Sequence, residues 1–165
     1  MLKCCLLLST VFCATTGMAA AQASVRVEPM QLDTPRPLAD QTAQAAIRGY
    51  LESWQSMSAA LNENRADLLD AGFVGGAKDK LAATIQEQIN QGIRTHYEDR
   101  AHDVQIVFYS PEGLSIELTD TVDYEVQLFD HGKSQATQPM HARYVVVLTP
   151  TESRWKVRVL QAETE

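Results

Sequence analysis

The chain has 165 residues, 45% of them hydrophobic, and sets 14 Lys+Arg against 21 Asp+Glu. That balance excludes collagen-like, coiled-coil-only and wholly disordered chains and fits one compact domain. A formal net charge of -7 repels phosphate, which argues against nucleic-acid binding unless the few basic residues cluster.

The first 23 residues differ from the rest. Met1-Leu2-Lys3 is a short basic start, Cys4 to Ala14 is a run dominated by Leu, Val, Phe and Cys, and Ala21-Gln22-Ala23 is an A-x-A ending. These are the three parts of a secretory signal peptide, so cleavage is expected after Ala23, with a periplasmic or extracellular destination. The apolar run, about 11 residues, falls short of the roughly 20 that a spanning helix needs, so no stable membrane insertion is expected after cleavage. A retained N-terminal anchor is the alternative. Cys13 follows Val11-Phe12 rather than a small residue, which argues against a lipoprotein. Cys4, Cys5 and Cys13 are the three cysteines, all within this segment. The remainder therefore forms no disulfide and has no thiolate chemistry. A domain of this length buries roughly two-thirds of its unfolded surface, enough for an unaided core.

Residues 24–39, with Pro29, Pro35 and Pro37, read as a flexible lead-in. Asp40 is placed to cap a helix that continues from Ala43 to Asn62. Its apolar residues Ile47, Tyr50, Leu51, Trp54, Met57 and Leu61 step by three or four, one stripe of a 3.6-residue helix. A second, shorter helix starts near Asn64, turns Leu68 and Leu69 inward and stops at Gly72. Gly75-Gly76 reads as a flexible joint. A third helix follows with Leu81, Ile85 and Ile89 inward and Gly92 as its stop.

After residue 93 the period becomes 2. Val104, Ile106 and Phe108 alternate with polar neighbours, and Pro111-Glu112-Gly113 turns the chain. From Leu114 to Leu128 the even positions are apolar except Asp120, which predicts one long strand, bent near Thr119-Asp120-Thr121. His131-Gly132-Lys133 makes a turn, and Ala142 to Leu148 is a strand apolar on both faces through Val145 and Val147. The last strand sets Trp155, Val157 and Val159 on one face against Lys156 and Arg158 on the other. Helices followed by antiparallel strands predict an α+β domain whose sheet curls around the first helix and leaves a pocket at the mouth of the cone.

Tyr50-Leu51-Glu52-Ser53-Trp54 on the first helix and Arg154-Trp155-Lys156-Val157-Arg158-Val159 at the end resemble the NTF2-like (SnoaL-like, cystatin-like) superfamily. The stretch from Trp54 through Gly76 to the long strands is also similar to the domain that closes plastid-division J-like proteins, a non-catalytic member. The likeness covers about residues 40–161, leaving 162–165 as a tail. It implies an NTF2-like cone, three N-terminal helices packed on a curved antiparallel sheet of about four strands. The superfamily includes isomerases, dehydratases, hydrolases and many members without catalysis, so fold alone does not fix function.

Asp120 is the only charged side chain on the apolar parity of the long strand. Inside an apolar cone its pKa would rise, as a general acid or base requires, and the superfamily's isomerases use a pocket Asp and Tyr. Asp120 with Tyr124 or Tyr144 is therefore the candidate catalytic set of a SnoaL-type lyase or isomerase. The structural alternative is a bulge at Thr119-Asp120-Thr121 that turns Asp120 to solvent or onto backbone N–H groups. Asp123, Glu125, Arg143, Lys156 and Arg158 read as cross-strand charge pairs on a wet face. The four histidines (His96, His102, His131, His141) have no metal-ligand spacing, so no metal is expected. No phosphate-binding loop or serine elbow occurs, and no cofactor is expected. Tyr50, Trp54 and Met57 are core residues that also supply the candidate ligand pocket. The leading expectation is an exported, non-catalytic domain that binds a small apolar ligand or a protein partner. A subunit of a cell-envelope complex is a further alternative, and a homodimer through the Val145–Val147 face is compatible with either.

Overall fold

Helix α1 (Asp40–Glu63) turns Ala46, Ile47, Tyr50, Trp54, Met57 and Leu61 inward, the stripe expected from their spacing. The computed structural model describes residues 23–30, 32 and 36–163. The segment read as a signal peptide therefore lies outside the described residues except for Ala23. Asp40 is the first residue of α1 rather than its cap, since Ala39 takes that place without a side-chain bond. Its carboxylate suits the positive end of the helix dipole instead. Asn64, in the left-handed conformation, ends α1, and its Nδ2 donates to Ile93 O at 2.8 Å.

The expected second helix is a short 3-10 segment, Ala66–Ala71, with Leu69 buried. Gly75-Gly76 does not form a loose joint, because both glycines belong to the first turn of α2 (Gly75–Gln91). Gly92 ends α2 at φ 70°, donating to Gln88 O and Ile89 O. The inward face of α2 is Ala77, Ile85 and Gln88, whereas Ile89 is 47% exposed. From Ile85 the stripe steps by three, not four, and a polar residue takes the inward position.

Among the described residues five strands form one sheet in the order β1-β2-β3-β4-β5, one more than expected: β1 (Ser24–Val27), β2 (Ile93–Tyr109), β3 (Ile116–Asp130), β4 (Lys133–Pro150) and β5 (Trp155–Ala162). The extra strand comes from the segment read as lead-in, where Ser24–Val27 pair in parallel with Ala101–Val104. The other pairings are antiparallel. Asp120 stays in unbroken register, opposite Val104 on one side and Tyr144 on the other, so no bulge forms at Thr119–Thr121.

The bulges lie elsewhere and explain three departures from simple alternation. An extra residue, Val107, between the Ile106 and Phe108 pairings turns Phe108 outward (42% exposed) and Tyr109 inward. Another, Arg158, between the Val147 and Leu148 pairings leaves Val157 buried but turns Val159 out. A third, at Arg100, changes the parity of β2 between Asp99 and Ala101. On the polar face Arg100 pairs with Glu125 at 2.6 Å, and His141 Nδ1 lies 2.6 Å from Asp123 Oδ1. Arg143 takes Glu163 at 2.9 Å. Such exposed pairs each contribute about 0–1 kcal/mol.

Helix α1 lies so close to β5 that a Cβ on Gly49 would stand 2.6 Å from Trp155 O. Gly49→Ala is expected to cost about 1–3 kcal/mol through forced separation of helix and strand. Gly76→Ala, with nothing within 4 Å of its Cβ, is expected to stabilise by about 0.5–1 kcal/mol. Urea unfolding of the two variants checks both signs.

Candidate functional site

Two features share the space between α1 and the sheet: a buried ion pair and an open apolar hollow. Their separation decides what the domain can do.

Asp120 is fully buried on β3. Its Oδ2 accepts from Tyr50 Oη at 2.7 Å and from His102 Nδ1 at 2.6 Å, and its Oδ1 accepts from the backbone N–H of Asp103 at 3.0 Å. His102, on β2, is also buried, and its Nε2 lies 3.9 Å from Asp99 Oδ2. Burial pulls the His102 pKa down, but hydrogen bonding and charge from Asp120 and Asp99 outweigh it and raise it from 6.5 to about 9. His102 is therefore an imidazolium at neutral pH, paired with Asp120. Burial and the Asp120 carboxylate push the Tyr50 phenol well above its ordinary value, so it stays a donor.

An aromatic layer covers the pair. Trp54 meets His102, Tyr50, Tyr124 and Tyr144 edge-on at centroid distances of 5.3–6.4 Å, and its Nε1 donates to Asp99 Oδ1 at 2.5 Å. Tyr97 stacks on Tyr124 at 5.5 Å. The hydroxyls of Tyr124 and Tyr144 bond each other at 2.9 Å. Of the expected catalytic set, then, neither tyrosine donates to Asp120, and Tyr50 takes that role. Burial, and then the bond to Tyr124, raise the Tyr144 pKa.

The hollow lies on the far side of this layer, between the end of α1, α2 and the start of β2, with a volume of about 680 Å³. Met57, Leu61, Leu81 and Leu160 give it apolar walls, and Tyr97 and Tyr144 close it toward the ion pair. Met57 lines it. Tyr50 and Trp54 do not reach it, since both are 1% exposed and packed behind. Neither Asp120 nor His102 contributes to its walls. Asp120 accepts three bonds and stands apart from the hollow. The arrangement can hold an apolar guest. Among the described residues no three His, Cys, Asp or Glu side chains stand together as metal ligands, and no helix is long and apolar enough to cross a membrane.

Sequence reasoning missed His102 and Gln88. The bulge at Arg100 hides the first, because Tyr97 and Asp99 face inward at odd positions and His102 and Val104 at even ones. Counting back two residues from Val104 would have found it. Gln88 sits three residues beyond Ile85, a spacing that puts it on the same helix face.

No family model matches the chain, and no curated protein matches it by sequence. Solved structures do match. The intermembrane-space region of the chloroplast protein ARC6 superposes with a TM-score of 0.66 at 16% identity, over 79% of this chain and 100% of that one. A scytalone dehydratase-like protein from Novosphingobium aromaticivorans gives 0.53 at 16% identity, over 76% and 89% of the two chains. Aln2 from a Streptomyces species gives 0.50 at 13% identity, over 78% and 94%. At these identities the likeness shows the fold alone. This is an α+β chain of NTF2-like architecture, similar in fold to the ARC6 region.

Proposed function

We propose that the chain is a non-catalytic binding domain that takes a small apolar molecule into the hollow between α1, α2 and the sheet. The observation that carries this reading is the division of the interior. The hollow has mainly aliphatic and aromatic walls, while the ionisable pair lies apart from it, with Trp54 packed edge-on against His102. A volume of about 680 Å³ falls within the range typical of small-molecule sites. The signal-like first 23 residues support an exported setting.

The test is a fluorescence titration with 1-aminoanthracene, a neutral apolar probe. Saturable binding of one probe per chain is expected. Leu160→Trp or Leu81→Trp, each filling the hollow, should weaken it by about tenfold or more, a loss of at least about 1.4 kcal/mol. Equal binding by the filled variants would place the probe elsewhere and refute the reading.

A further inference from the structure

Gln88 is 4% exposed, on the inward face of α2, and it lines the hollow. Thr95 Oγ1, also on the lining, donates to Gln88 Oε1 at 3.1 Å, and the amide's NH2 group is left over. Gln88 Nε2 is buried and has no hydrogen-bond partner. A buried donor without an acceptor is destabilising, and such groups are rare enough that each needs a reason. Leucine at this position would fill the same space without that cost. An acceptor that arrives with a guest supplies the reason.

The charge around the hollow narrows the chemistry of that acceptor. Among the described lining residues Glu87 is the one charged side chain, and no Lys, Arg or His stands with it. A carboxylate guest would leave water without a counter-charge, beside Glu87, in a chain of net charge -7. A neutral carbonyl loses far less on leaving water and accepts from an amide N–H well.

We infer that the ligand of the hollow is an uncharged apolar molecule bearing a ketone, ester or amide carbonyl, and that the Gln88 amide turns its NH2 group into the hollow to donate to that oxygen. The inference rests on the binding reading above and narrows it to a ligand class.

Displacement of 1-aminoanthracene by 2-nonanone, nonane and nonanoate tests it. One neutral hydrogen bond in a dry site predicts that the wild type binds the ketone up to about tenfold more tightly than the alkane. Nonanoate should bind more weakly than the ketone. Gln88→Leu should bring ketone and alkane within about twofold of each other. Gln88→Met serves the same purpose should the leucine variant not fold. Ketone preference that survives in the variant overturns the role of Gln88, and tighter binding of nonanoate overturns the neutral class. Equal binding of ketone and alkane by the wild type refutes the inference but leaves the binding reading standing. If neither these molecules nor the fluorescent probe binds, the binding reading falls first and takes the inference with it.

Discussion

Asp120→Ala is expected to lose about 3–5 kcal/mol of stability, because it leaves the His102 imidazolium buried without its counter-charge. The same change deprives Tyr50 Oη and the Asp103 N–H of their acceptor. Domains of this kind have only about 5–15 kcal/mol in total, so the variant stands near the edge of folding at room temperature. Asp120→Asn keeps the shape and still accepts from Tyr50, and about 1.5–3 kcal/mol is expected for it. Linkage supplies a second readout. The folded-state pKa of His102, about 9, lies above its ordinary 6.5, so the pair's contribution is complete below about 6.5. It shrinks as the pH rises and is lost through about 9, which amounts to about 3 kcal/mol over that window. Urea unfolding of the wild type between pH 6 and 9.5 should show this fall. In Asp120→Asn it should be much flatter. A wild type with no such fall would mean that His102 is neutral in the folded chain.

Trp54→Ala should cost a similar amount, about 3–5 kcal/mol, for a different reason. The ring is 1% exposed and touches four other rings, so its removal leaves a void between the ion pair and the hollow. Trp54→Phe keeps an aromatic wedge but drops the donor to Asp99, and about 1–3 kcal/mol is expected from that unpaired acceptor and the smaller ring. Chemical denaturation monitored by far-UV circular dichroism measures both. The alanine variant should also quench more readily at Tyr144 and Tyr124, whose cover is gone. A loss below about 1 kcal/mol for Trp54→Ala would show that the layer is not packed as described.

Much of this fold was legible because its main elements follow simple periods. The stripe from Ile47 to Leu61 and the even positions from Ile116 to Tyr124 each fix a face without help from distant residues, and the structure places both faces in the core. What the sequence concealed lies where the period breaks. Single inserted residues at Arg100, Val107 and Arg158 reverse the facing of everything beyond them, and nothing local in the sequence marks a bulge. Phe108 and Val159 therefore read as inward and lie outward, while Leu160 reaches the hollow. Strand β1 was hidden for another reason. Its pairing with β2 joins residues far apart in the chain, and the prolines around it suggested a linker.

The candidate site was half legible. Asp120 stood out as a charge in an apolar register, and its burial against a tyrosine hydroxyl bears out the oddness of that position. Its partners were not readable, because His102 comes from a different strand and Tyr50 from α1, 70 residues away in the chain. Nor could the sequence tell that Trp54 closes the pair off from the space a ligand would use. That depends on how four aromatic rings stack, a property of packing and not of pattern.

The most direct measurement is a crystal structure of the full chain with 2-nonanone bound. The ketone is expected between Leu81, Tyr144 and Leu160, its oxygen about 2.9 Å from Gln88 Nε2, with the Asp120–His102 contact unchanged. A ketone found instead beneath a displaced Trp54, with its oxygen on Tyr50 or His102, would make the buried pair the site and contradict a binding role for the hollow.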